Sequence, residues 1–111
     1  QESIDIEYRN LQDGKISPSE YIIITEVTSS QVTTQISEFV TSKPSEKWQE
    51  SYISYMNGMK KFNEYIIETK VLANQIENES ADTKILETIN KIEAIKLESI
   101  EYIKKSNELR P

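Results

Sequence analysis

Apolar residues recur at helical spacing in four segments of this chain, separated by three short breaks. Ile4, Tyr8 and Leu11 stand at i, i+4 and i+7, and Asp13-Gly14 follows as a stop, which predicts a helix over about residues 3–12. Ser17-Pro18-Ser19-Glu20 then carries a helix start: Ser17 as cap, Pro18 at the first position, Glu20 closing a capping box. The helix it opens is expected to span residues 18–41. Tyr21, Ile22, Thr25, Ser29, Val32, Ile36, Phe39 and Val40 fall within roughly 100° of one another on its wheel. A competing reading exists, because residues 21–42 hold 12 β-branched side chains, which favour strands. A hairpin turning at Ser29-Ser30-Gln31 would lack Gly, Asn or Asp in its turn and would have no sheet to join. Helix is the preferred reading.

Lys43-Pro44-Ser45-Glu46 marks the second break, and Pro44 can start the next helix. Trp48, Tyr52, Tyr55, Met59, Phe62, Ile66, Thr69, Ala73 and Ile76 then follow an uninterrupted 4-3-4-3 spacing, the a and d positions of a heptad pattern. One helix over residues 44–78 is predicted. The line keeps phase across Asn57-Gly58, so this turn-like dipeptide is read as helical, with Gly58 admitting a close neighbour. Ile53, Met56, Ile67 and Val71 add apolar positions on one flank of the line, Tyr65 and Leu72 on the other. A helix apolar over so wide an arc is a central spine. The third break, residues 78–82, offers Ser80 or Asp82 as a cap. A last helix is expected over residues 83–107, with Ile85, Ile89, Ile92, Ile100 and Ile103 as its stripe and Lys96 and Ser99 interrupting it. Short connections make neighbours antiparallel. The fold class is therefore all-α: one domain over residues 1–111, an elongated antiparallel bundle of three long helices, with a short N-terminal helix extending one end.

Composition narrows the chemistry. There is no Cys and no His in 111 residues, which excludes disulfides, thiolate or imidazole metal sites, and Ser–His or Cys nucleophilic machinery. A net charge of −6 argues against nucleic acid as a partner. The longest apolar run is Tyr21–Ile24, too short to span a membrane. Sixteen Glu invite a di-metal bundle, but that site needs Glu-x-x-His pairs. The pairs Glu46/Glu50 and Glu64/Glu68 sit beside Lys43, Lys47, Lys60 and Lys61, as solvated faces do. No catalytic, cofactor-binding or metal-binding residues are assigned, and the chain is read as non-enzymatic.

Two further features bear on function. Thr25, Thr28, Ser29, Ser30, Thr33, Thr34 and Ser37 crowd the second helix. Their hydroxyls either bond the preceding turn or line a polar groove. Tyr65, Ile95, Tyr102 and Leu109 lie to one side of their stripes and form a candidate partner surface or homodimer seam. The alternative is that they pack the first helix.

Ile, Lys, Asn and Glu supply 51 of the 111 residues, and Ala, Gly, Pro and Arg only 10, the bias of an AT-rich genome. The chain begins Gln1-Glu2-Ser3 without an initiator Met, as expected of a processed or trimmed chain. In composition and in these first residues it resembles the mature part of small lipoproteins of low-GC Gram-positive bacteria and their mobile elements. In that family a short polar stretch follows a lipidated Cys, which this chain itself does not contain. The resemblance implies an extracytoplasmic, cell-surface protein, held by a lipid anchor before Gln1 and binding another surface or envelope protein. Immunity or exclusion against phage or conjugative transfer is one such role. The alternative is a helical oligomerising or secreted structural protein that uses the heptad stripe 48–76. Trp48-Gln49-Glu50 lacks the Gly of secreted WxG-type hairpins.

Overall fold

The computed structural model describes residues 2–111. It is an all-α bundle with dimensions of 50 × 23 × 18 Å. Four α-helices follow in order: α1 (Glu2–Gln12), α2 (Pro18–Thr41), α3 (Gln49–Glu77) and α4 (Asp82–Glu108). Gln1, and with it the expected anchor point, lies outside the described residues.

α2 occupies the span its cap predicts. The Ser17 hydroxyl accepts the Glu20 N–H at 3.1 Å, and Glu20 reaches back to the Ser17 N–H at 3.4 Å. The hairpin reading fails because tertiary burial outweighs β propensity. Tyr21, Thr25 and Val32 are buried, and the hydroxyls of Thr25, Thr28, Thr34 and Thr41 donate to carbonyls three or four residues earlier.

α3 begins later than the expected residue 44. Ser45 is extended and its side chain makes no cap bond, so only a single 3-10 turn forms at Glu46–Trp48. The α-helix starts at Gln49, and Trp48 stands ahead of it, partly exposed. The middle of the heptad line behaves as read, with Met59, Phe62, Ile66, Thr69 and Ala73 all buried, while Tyr52, Tyr55 and Ile76 are half-buried. Neither Ser80 nor Asp82 caps α4; the cap position is Ala81, with no side-chain bond.

α3 runs through Asn57-Gly58 without a break, and α4 comes in close against Gly58. A Cβ there would lie 2.5 Å from Ile103 Cδ1 and 3.3 Å from the Ile103 backbone nitrogen. Serines line the same seam. Ser99 Oγ donates to the Gly58 carbonyl at 2.9 Å, and Ser54 Oγ to the Tyr102 carbonyl at 2.8 Å. Ser51 and Ser106 each donate to the other's carbonyl at 2.8 Å. The inner face of α4 keeps most of the expected isoleucine stripe: Ile92 is buried, Ile85 and Ile89 pack against the core and Ile103 meets Gly58. The fully buried positions also include Thr88, Ile95, Ser99 and Ser106. Ser99 belongs to that face, and Ile100 is exposed.

α1 does not extend one end. After Gly14, which adopts φ +73° as a helix stop, the chain turns so that α1 lies back against α2 and α3. Ile4 and Leu11 are buried in the common core. α2 and α4 flank α3 without packing on each other.

Gly58→Ala is expected to destabilise the fold by about 1–2 kcal/mol. Because the added Cβ meets the Ile103 backbone nitrogen as well as its side chain, the overpacking falls in the upper part of the usual range, about 2–3 kcal/mol. The gain in helix propensity, about 1 kcal/mol, offsets only part of it. Denaturant unfolding measures the difference, and an unchanged or raised midpoint would refute the tight seam.

Candidate functional site

Under α1 three tyrosines meet. Tyr8 packs edge-on against Tyr65 at 6.1 Å between centroids and lies 6.4 Å from Tyr21. The Tyr21 hydroxyl donates to Thr69 Oγ1 at 2.8 Å. The Tyr65 hydroxyl donates to Asp5 Oδ1 of α1 at 2.7 Å. That same oxygen takes Lys96 Nζ of α4 at 3.4 Å, and Lys96 lies 5.6 Å from the centre of the Tyr65 ring. Asp5 thereby fastens α1 to both α3 and α4.

Burial pushes all three phenols up. Tyr8 rises to about 12, by burial and then by the nearby Glu93 carboxylate. Tyr21 is raised by burial, with the bond to Thr69 acting against it. Tyr65 is raised by burial and then by the proton it donates to Asp5. These hydroxyls hold their protons and serve packing; none is poised as a phenolate base or nucleophile.

The four residues of the expected partner surface are not brought together. Tyr65 is 0% exposed, because α1 covers the flank of α3 that the wheel left open. Ile95 is buried in the α3–α4 seam. For these two the surface reading is corrected; they are core, and Tyr65 packs the first helix. Tyr102 and Leu109 remain half-buried and share a shallow groove of about 300 Å³ with Ile53, Ser54, Asn57 and Lys105. The heptad stripe that was the oligomerisation candidate is spent largely on the intramolecular core.

An open group of aromatic and aliphatic side chains lies at the end of the bundle that α1 does not reach. There Phe39 of α2 packs between Tyr52 and Tyr55 of α3, with centroids 4.7 and 5.0 Å away. Tyr52 shares a hydrogen bond with Ser42 at 3.1 Å. Trp48 is 42% exposed and Val40 62%. A groove of about 440 Å³ runs along Phe39, Val40, Pro44, Tyr52, Ile53 and Met56. A smaller one, about 210 Å³, is bounded by Phe39, Trp48, Tyr55, Ser106 and Arg110. Ile53 stands between the first groove and the one lined by Tyr102 and Leu109. Half-exposed aromatics thus lie beside aliphatic grooves, with Lys43, Lys105 and Arg110 at the margin.

Sequence reasoning placed Trp48, Tyr52 and Tyr55 in the core, because they continue the heptad line. The available signal was the length of the first helix: 11 residues cannot cover a spine of 29. Among the described residues no group of three His, Cys, Asp or Glu is arranged to hold a metal ion, and no described helix is long and apolar enough to cross a membrane.

Two measurements test the tyrosine cluster. The Tyr8 hydroxyl is buried without a hydrogen-bond partner. Tyr8→Phe is therefore expected to leave stability unchanged or raise it by up to about 1 kcal/mol, whereas Tyr65→Phe loses about 1–2 kcal/mol by stripping Asp5 of its donor. The second concerns alkaline pH. A phenol whose folded pKa lies above its unfolded value of 10 stabilises fully below pH 10, and that stability is lost as pH climbs toward the folded value. Between pH 10 and about 12 the helix signal in circular dichroism is expected to fall together with the rise of phenolate absorbance from Tyr8, Tyr21 and Tyr65. Ionisation of these three in a fully helical protein would contradict the cluster.

Compared with protein-family models, with curated proteins and with solved structures, the chain matches none.

Proposed function

We propose that this chain is a non-enzymatic protein-binding module that engages its partner through the aromatic end of the bundle. The observation that carries the reading is the group of apolar side chains left open there: Trp48, Val40 and Ile53 exposed, Phe39, Tyr52 and Met56 half-buried. In an acidic chain with a net charge of −6, such a patch is a surface awaiting apolar cover. The buried tyrosines and serines support the same reading, since they are engaged in holding the scaffold. A rigid bundle presenting one apolar end needs no cofactor for this role.

The resemblance to Gram-positive lipoproteins supplies the setting. The module is placed outside the cytoplasm, tethered to the cell surface by a lipid anchor ahead of Gln1, with another envelope or surface protein as partner. Immunity or exclusion against phage or conjugative transfer is the role this arrangement suits. Nucleic acid and the bilayer interior are not its partners.

The tether is tested by detergent phase partitioning of the native protein, with its intact mass. Recovery in the aqueous phase without added lipid would remove it. The binding end is tested separately, by cross-linking on living cells. Val40→Asp and Trp48→Ala change exposed side chains and are expected to preserve the helical spectrum. Each is expected to weaken partner cross-linking about tenfold or more, as hot-spot truncations of about 2 kcal/mol do. Unchanged cross-linking by both variants would overturn the assignment of this end.

A further inference from the structure

The outward face of α3, opposite its core line, carries a pattern unused by the fold and extending well beyond the aromatic end. Ile53, Ile67 and Val71 are 55%, 48% and 37% exposed along it. Lys60 and Glu64 lie exposed between them. The neighbouring charges are engaged within the molecule: Lys61 with Glu98 at 3.0 Å, and Glu68 with Lys91 at 3.4 Å. Glu64 approaches Lys61, one of the two lysines expected beside it, at 3.4 Å. Among the described residues Lys60 makes no ion pair.

The spacing Ile53, Lys60, Glu64, Val71 is symmetric about the level of Phe62, with opposite charges at its two inner positions. Such a row complements itself when reversed. We propose that a second copy of this chain packs antiparallel on the outer face of α3, about a two-fold axis level with Phe62. Ile53 of each copy then lies level with Val71 of the other, and Lys60 of each with Glu64 of the other. Both contacts occur twice, as an isologous interface requires. Parallel pairing is disfavoured, because it sets Lys60 against Lys60 and Glu64 against Glu64. The two crossed ion pairs choose orientation and register, and the aliphatic side chains supply the buried area.

Sedimentation of the whole chain over a concentration series tests this. The wild type is expected to pass from monomer to dimer through the micromolar and millimolar range. Lys60→Glu and Glu64→Lys each place like charges across the axis, and each is expected to raise the dissociation constant about tenfold or more. Both changes are on exposed helical positions, and circular dichroism checks that the fold persists. An equimolar mixture of the two variants is expected to regain the dimer, since each then meets its opposite. The double variant is expected to dimerise as the wild type does. A wild type that stays monomeric overturns the proposal. So does a dimer indifferent to either charge reversal, or a mixture of variants that fails to associate. Ile53 belongs to both surfaces, but sedimentation of the chain alone reads the dimer in the absence of the partner proposed for the aromatic end.

Discussion

The approach of α4 to α3 at Gly58 sets the geometry on which the remaining helices rest. A glycine on the spine removes the side chain that would hold Ile103 away. Ser51, Ser54, Ser99 and Ser106 then place short hydroxyls in the narrowed gap, where each donates to a carbonyl of the facing helix. Isoleucines in those places would fill the seam with volume and push the axes apart. Hydroxyls at this separation stay satisfied, so the polar burial carries little penalty. Bonds that join one helix to a carbonyl of another also depend on axial register, which greasy contacts alone specify less sharply.

With α4 drawn in on one flank of α3 and α2 on the other, a furrow opens between them over the heptad line. α1 fills the furrow for its own length. Its buried face supplies Ile4 and Leu11, and its polar edge supplies Asp5, which gathers the Tyr65 hydroxyl and the Lys96 ammonium at one oxygen. An isolated helix of this length is marginal in water, so its order is derived from that docking. One half of the molecule is thus a four-helix cross-section and the other half a three-helix one.

How legible this was depended on the range of the interaction responsible. The start of α2 was readable because Ser17, Pro18 and Glu20 act within one turn of one another. Continuity through Gly58 was readable because the apolar line kept phase across it. The late start of α3 was not, since Pro44 permits a helix but Ser45 supplies no cap. The inner face of α4 was read only in part, for a physical reason. Ile85, Ile89, Ile92 and Ile103 do face inward, but serines count as polar on a wheel, and here Ser99 and Ser106 complete the buried seam. Tyr65 shows the same limit from the other side. A wheel angle shows that a side chain leaves the main stripe; it does not show whether solvent or α1 lies beyond. The candidate surface therefore lost Tyr65 and Ile95 and kept Tyr102 and Leu109, beside aromatics that had been assigned to the core.

Helix lengths account for the aromatic end. At 1.5 Å per residue α1 reaches ~16 Å, while α3 runs ~43 Å. The heptad line is sealed from Phe62 to Ala73, where α1 reaches, and opens progressively toward Tyr55, Tyr52 and Trp48. Sequence pattern made the whole line apolar, but the chain supplies a fourth helix for part of it. A protein selected only for stability would have polar residues where that cover stops, because apolar side chains left open favour association. Here the uncovered end keeps Trp48 and Val40 instead, and the acidic surface maintains solubility around it. The same length mismatch that leaves the core unfinished leaves these apolar side chains open.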